Sequence, residues 1–220
     1  MGSNIDLDKT RWQVTDIFVS LFILIAIYVL SAIVISAFFK PNHLFSQFVD
    51  NIFILAPIYY LNNKYPLKVF SNFNEKDNLK YFLIGTVLCF TLNLFYGIFA
   101  RLTRIVPEQY TLFIQYSIFG KILDLINSLI LTPVLEEIFF RGFIYRILRN
   151  RYNVFWGALG STIIFSLFHG FKIDIIINIG ILGLIFTYVY HKTESIPLTA
   201  LAHSICSAAW LVFIHYGLKG

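Results

Sequence analysis

Residues 110–149 read YTLFIQYSIFGKILDLINSLILTPVLEEIFFRGFIYRILR, and the fold turns on how this run is understood. It is apolar over about 40 residues, roughly twice the length a helix needs to cross a bilayer. Its central charges, Glu136, Glu137 and Arg141, lie within six residues of one another. A charge at the bilayer centre costs at least ~2.5–3.5 kcal/mol, so ionisable groups kept there point to function. Pro133 sits just upstream, where its ring and missing N–H kink or break a helix. The run is therefore expected to form one kinked span or two.

Outward from this stretch the same apolar character continues. Of 220 residues, 58% are hydrophobic and 13% charged, and the mean hydropathy is +0.73. A soluble domain carries roughly 25% charged residues, so too little polar surface is present to coat a soluble globule. Further spans are expected over Thr15–Phe39, Leu44–Asn62, Leu79–Ala100, Val154–Gly170, Ile173–His191 and Ile196–Tyr216. The first is too long for a signal-peptide core and reads as a retained helix. The expected fold is all-α: one polytopic domain over residues 1–220, with seven to eight transmembrane helices around an intramembrane polar cavity.

The excess of 17 Lys+Arg over 12 Asp+Glu fits membrane topology and anionic headgroups. No basic stripe with interleaved aromatics suggests nucleic acid. With the N-terminus inside, ten basic residues fall in inside segments: Lys9, Arg11, Lys64, Lys68, Lys76, Lys80, Arg146, Arg149, Arg151 and Lys192. Five fall outside: Lys40, Arg101, Arg104, Lys172 and Lys219. This bias predicts a cytoplasmic N-terminus and a plasma-membrane location, and an Ile, Phe, Asn and Lys-rich usage hints at a bacterial source.

On a helix Glu137 and Arg141 are i,i+4 with the acid first, the favourable order for a local ion pair. Glu136 points about 100° away and is left to face a cavity. A carboxylate without a counter-charge in an apolar wall suits general-base work near neutral pH. Two imidazoles lie deep in later spans, His169 at the end of Phe165-x-x-x-His169 and His203, with Ser207 one turn on. A carboxylate and two imidazoles can hold and activate a water. The same trio, Glu136, His169 and His203, could instead ligate zinc. Cys89 and Cys206 read as small core residues, Asp50 and Asn51 as an interfacial turn, and Asn178 as a hydrogen bond between helices. Gly157 and Ser161 form a small-xxx-small pattern that suggests close helix packing.

Glu136-Glu137-x-x-x-Arg141, Phe165-x-x-x-His169 and His203-x-x-x-Ser207, in that order, resemble the three motifs of the CAAX protease and bacteriocin-processing family, which includes the Ras-converting CAAX prenyl endopeptidases. The resemblance covers roughly residues 129–207. It implies an intramembrane endopeptidase acting on a membrane-associated protein or peptide, with no cofactor required. By resemblance Glu136 activates water, His169 positions it, and His203 with the residue four later stabilises the oxyanion. Glu137 and Arg141 would support the site. The family usually has Asn at the position of Ser207. That departure raises a second expectation, a catalytically weak member acting by binding in bacteriocin immunity or regulation. A transporter using the charges as a relay fits less well, because inverted repeats and paired broken helices are absent from the sequence.

Overall fold

The computed structural model describes residues 13–38, 43–67, 69, 77–103 and 108–219. Every regular element among the described residues is helical. The helices are α1 (Thr15–Phe38), α2 (His43–Phe53), α3 (Leu55–Lys64), α4 (Asn78–Thr103), α5 (Glu108–Gln115), α6 (Ile118–Arg151), α7 (Val154–His169), α8 (Ile173–Thr193) and α9 (Ile196–Lys219). Among the described residues, five stretches are long and apolar enough to cross a membrane: Thr15–Ile33, Asn78–Thr103, Ile118–Arg151, Ile173–Thr193 and Ile196–Tyr216. Val154–His169 is a shorter apolar helix beside them. The outer faces of α1 and α4 expose Phe18, Phe22, Leu83, Val87 and Phe95. Such faces are stable against lipid, and the chain is an integral membrane protein of the all-α polytopic class.

Two expected spans come out differently. The run 44–62 is two short helices bent at Ile54 rather than one crossing. Pro57 cannot donate to the carbonyl four residues back, and its ring crowds that carbonyl, so the helix breaks there. In the long run the break falls at Tyr116–Ser117, not at Pro133. The Ser117 side chain accepts the Gly120 N–H and caps the new helix. Residues Asn127–Leu131 just before Pro133 are π-helical, and the Thr132 N–H donates to the Asn127 carbonyl five residues back. The wider turn accommodates the proline ring without ending the helix. At 34 residues α6 would be about 50 Å long as a pure α-helix, far more than the ~30 Å hydrocarbon layer. Its final turn, with Arg146, Arg149 and Arg151, is accordingly charged.

Around α6 the other helices close. Helix α4 packs along α8 and α9, α7 lies along α8 and the end of α6, and α3 reaches the middle of α6. Gly157 and Ser161 do provide the close approach their spacing suggests. A Cβ on Gly157 would stand 2.9 Å from the Arg149 backbone nitrogen, and Ser161 Oγ donates to the Phe140 carbonyl at 3.1 Å. The core is aromatic, with Phe139, Phe140, Phe143 and Phe165 all buried, and Phe140 meets Phe165 edge-to-face at 5.0 Å. Asn51 is not an interfacial residue. It is buried and donates to Asn127 Oδ1 at 2.7 Å and Thr132 Oγ1 at 2.9 Å, tying α2 to the first π segment of α6. Asn178 is half-buried and forms no hydrogen bond between helices; Asn93 does, donating to the Cys206 carbonyl at 3.1 Å. Cys89 and Cys206 are buried free thiols.

Candidate active site

The second π-helical segment of α6, Glu137–Tyr145, begins one residue after Glu136. π-turns widen a helix, redirect side chains and recur at functional sites. Glu137 and Arg141 are both fully buried on this segment, and Arg141 Nη1 donates to Glu137 Oε1 at 3.0 Å. Arg141 is held from two further sides. Nη2 donates to the Gly183 carbonyl on α8 at 3.0 Å, and the guanidinium lies 4.3 Å from the centre of the Phe165 ring. A planar, weakly hydrated cation is well suited to such a site.

Gly183 makes this reach possible. A Cβ there would meet the Phe165 and Thr162 side chains of α7 at 3.1 Å, so any larger residue would have to push them back by a few tenths of an ångström. The bared carbonyl takes the Arg141 bond and a second one from Thr187 Oγ1 at 2.8 Å.

His203, on α9, faces a carboxylate with each ring nitrogen. Its Nδ1 is 2.9 Å from Glu137 Oε1, and its Nε2 is 3.9 Å from Glu136 Oε2. Since a carboxylate only accepts, Nδ1 carries the hydrogen. His169 ends α7. Its Nδ1 lies 2.9 Å from the Phe165 carbonyl, which fixes the hydrogen on Nδ1 and turns Nε2 toward Glu136 Oε1 at 3.6 Å. Glu136 Oε2 is buried and has no hydrogen-bond partner in the protein.

Three helices after the sequence motif thus bring Glu136, His169 and His203 to one point, with Glu137 and Arg141 directly behind. Ser207 follows His203 by one turn, is half-buried, and has no hydrogen bond to the cluster. Among the described residues no group of three His, Cys, Asp or Glu side chains is placed to hold a metal ion. Two residues that pattern reading misses complete the surroundings. Gly183 sits inside an apolar helix with no motif around it. Phe186, one turn later, stacks on the His203 ring at 4.4 Å with 22° between planes. A glycine within a helical run was the one available signal.

Comparisons with known proteins agree with this geometry. Residues 117–209, which contain every residue of the cluster, match the model of the Rce1-like, type II CAAX prenyl endopeptidase family. A protein of Bacillus subtilis (strain 168) named "Putative membrane peptidase YdiL" is 33% identical over 81 residues, which cover 37% of this chain and 33% of that protein. The match thus spans about a third of the relative's length. No solved structure matches. Residues 117–209 are thus similar to the Rce1-like family of type II CAAX prenyl endopeptidases, a likeness to membrane proteases that covers this part of the chain.

Proposed function

We propose that the protein is an intramembrane endopeptidase that cleaves a membrane-associated protein or peptide precursor, with Glu136 as the base that activates water. The observation behind this reading is the aim of two imidazole Nε2 atoms at the two oxygens of one carboxylate. The Glu136 carboxylate and His169 Nε2 are two acceptors meeting without a donor, and a water that donates to both satisfies them. That water gives a proton to Glu136 as its oxygen attacks the scissile carbonyl carbon. The C–N bond then breaks, and Glu136 returns the proton to the departing amine.

The oxyanion formed on attack needs donors. His203 can supply one only as the imidazolium, with Nδ1–H on Glu137 and Nε2–H toward the oxyanion. Charge balance favours that form. Glu136 and Glu137 carry two negative charges and Arg141 one positive, so a proton on His203, which faces both carboxylates, makes the buried set neutral. His169, whose Nδ1 faces the Phe165 carbonyl, is the partner that positions the water through Nε2.

The Ser207 hydroxyl supplies a second donor through a bridging water, being shorter than a carboxamide. Removing a direct oxyanion donor costs ~10²–10³ in rate. Ser207→Ala is expected to cost less, about tenfold in kcat with KM unchanged. An unchanged kcat would remove Ser207 from the site.

The test is cleavage in proteoliposomes of an internally quenched peptide bearing a farnesylated cysteine in a C-terminal C-a-a-X sequence, alongside its unprenylated form. Wild type is expected to cleave at least one. His169→Gln should lower kcat by ~10²-fold or more, and a metal chelator should leave the rate unchanged. Loss of activity on chelation, restored by zinc, would replace the water mechanism by one in which Glu136, His169 and His203 are ligands. The absence of a hydrogen bond from Ser207 to the cluster favours a second reading, binding in bacteriocin immunity or regulation; an immunity phenotype that survives Glu136→Ala would establish it. We place the protein in a bacterial plasma membrane with its N-terminus cytoplasmic. Support comes from the basic helix ends, where Lys80 and Lys192 both lie 5.8 Å from the Tyr81 ring and Arg149 pairs with Glu194 at 2.9 Å.

A further inference from the structure

We propose that Phe186 is a positioning residue for the reaction: its ring, stacked on His203, holds the imidazole in the plane that directs Nδ1 to Glu137 and Nε2 to Glu136. This rests on the peptidase reading above and adds to it a helix, α8, to which neither the sequence motifs nor the resemblance assigns a part.

The imidazole of His203 is hydrogen-bonded through Nδ1 to Glu137 at 2.9 Å, while its Nε2 faces Glu136 at 3.9 Å, beyond a direct hydrogen bond. One hydrogen bond leaves the ring free to swing about its Cα–Cβ and Cβ–Cγ bonds and to carry Nε2 away from Glu136. Phe186 removes that freedom. It is 1% exposed, and its face lies 4.4 Å from the imidazole with 22° between planes. Phe165 meets the same imidazole edge-on at 6.2 Å. The Phe186 ring also lies 5.5 Å from the Arg141 guanidinium. One aromatic therefore borders both cations of the cluster, and its electron-rich face attracts each. Helix α8 is itself locked to the site one turn earlier, where the Gly183 carbonyl takes the Arg141 bond. The turn Gly183–Phe186 thus transmits one rigid placement to both Arg141 and His203. The titratable and charged groups facing His203 are Glu136, Glu137 and Arg141 from α6 and Cys206 on its own helix; Phe165 is the contribution of α7 and Phe186 that of α8.

The variants are Phe186→Met, which keeps bulk without a ring, and Phe186→Tyr and Phe186→Trp, which keep a ring. Full-length protein in lipid vesicles, labelled with nitrogen-15 histidine, gives a readout that needs no substrate. His203 is assigned by difference with His203→Gln. Wild type, Tyr or Trp should show one ordered His203 ring with both nitrogens protonated, whereas Met should show a broadened or doubled signal. On the farnesylated peptide, Met should lower kcat about ten- to a hundredfold with KM within about twofold, the cost expected for a reacting group displaced by up to ~1 Å. At least one of Tyr and Trp should retain kcat within about threefold. An ordered His203 signal in Phe186→Met overturns the proposal, as does a kcat equal to wild type. Failure of both aromatic variants to exceed Met in either readout overturns it too. If Glu136→Gln stays active while the Met signal broadens, the mechanism fails and the ring placement stands; the reverse pattern rejects Phe186 alone.

Discussion

Glu136→Gln is expected to lower kcat by ~10²–10⁴ and to leave the fold intact. The two side chains have nearly the same shape, so the aromatic packing around the first turn of the π segment is retained. No hydrogen bond within the protein is lost at Oε2, which has no partner, and the contacts to His169 and His203 at 3.6 and 3.9 Å are longer than direct hydrogen bonds. The charge lost can also be compensated. Without Glu136 the neutral set becomes positive by one, but His203 can release its proton and restore balance. What the carboxamide cannot do is take a proton from water. The measurements are kcat on the quenched peptides and thermal unfolding in mild detergent. A variant that cleaves at the wild-type rate would end the role assigned to Glu136.

Much of this site was legible because charge is conspicuous in an apolar sequence. Glu136, Glu137, Arg141, His169 and His203 each stand out against the surrounding run, and the ion pair follows from i,i+4 spacing alone. The π-helical turns did not announce themselves. They depend on how α6 packs against α3, α7 and α9, and residues 127–131 and 137–145 have no composition that an α-helix would refuse. For the same reason Pro133 left one kinked span or two helices open: a regular helix has no room for its ring, while a π-widened one does. Pro57 obeyed the simple rule because no such widening precedes it. Gly183 and Phe186 were invisible for another reason. Their importance lies in what they touch on other helices, and an apolar residue in an apolar helix carries no mark of its neighbour. Asn51 misled in the opposite direction, since a polar residue in a short helix suits an interface as well as a buried network.

Glu137→Gln should separate stability from catalysis at the same cluster. Glu137 Oε1 accepts from Arg141 at 3.0 Å and from His203 at 2.9 Å, so one oxygen serves two cations in a fully buried place. His203 can adapt to its loss by releasing a proton. Arg141 cannot, because guanidinium remains charged in proteins. The variant therefore leaves a completely buried cation against a neutral carboxamide, the Gly183 carbonyl and two aromatic faces, with its contacting negative charge gone. Breaking a buried pair at one partner typically costs ~3–5 kcal/mol, and that loss is expected here in unfolding from mixed micelles. Activity should fall with it, since a neutral carboxamide holds the Nδ1 proton of His203 more weakly than the carboxylate does. The double variant Glu137→Gln with Arg141→Met removes the stranded charge as well. It should recover a substantial part of the stability, because neutral groups of similar volume replace a buried pair at little cost or with gain. Its activity should not return, since His203 still lacks its counter-charge. A Glu137→Gln protein as stable and as active as wild type would show that neither cation depends on this carboxylate. A double variant no more stable than the single one would place the cost in lost packing rather than in the unpaired guanidinium.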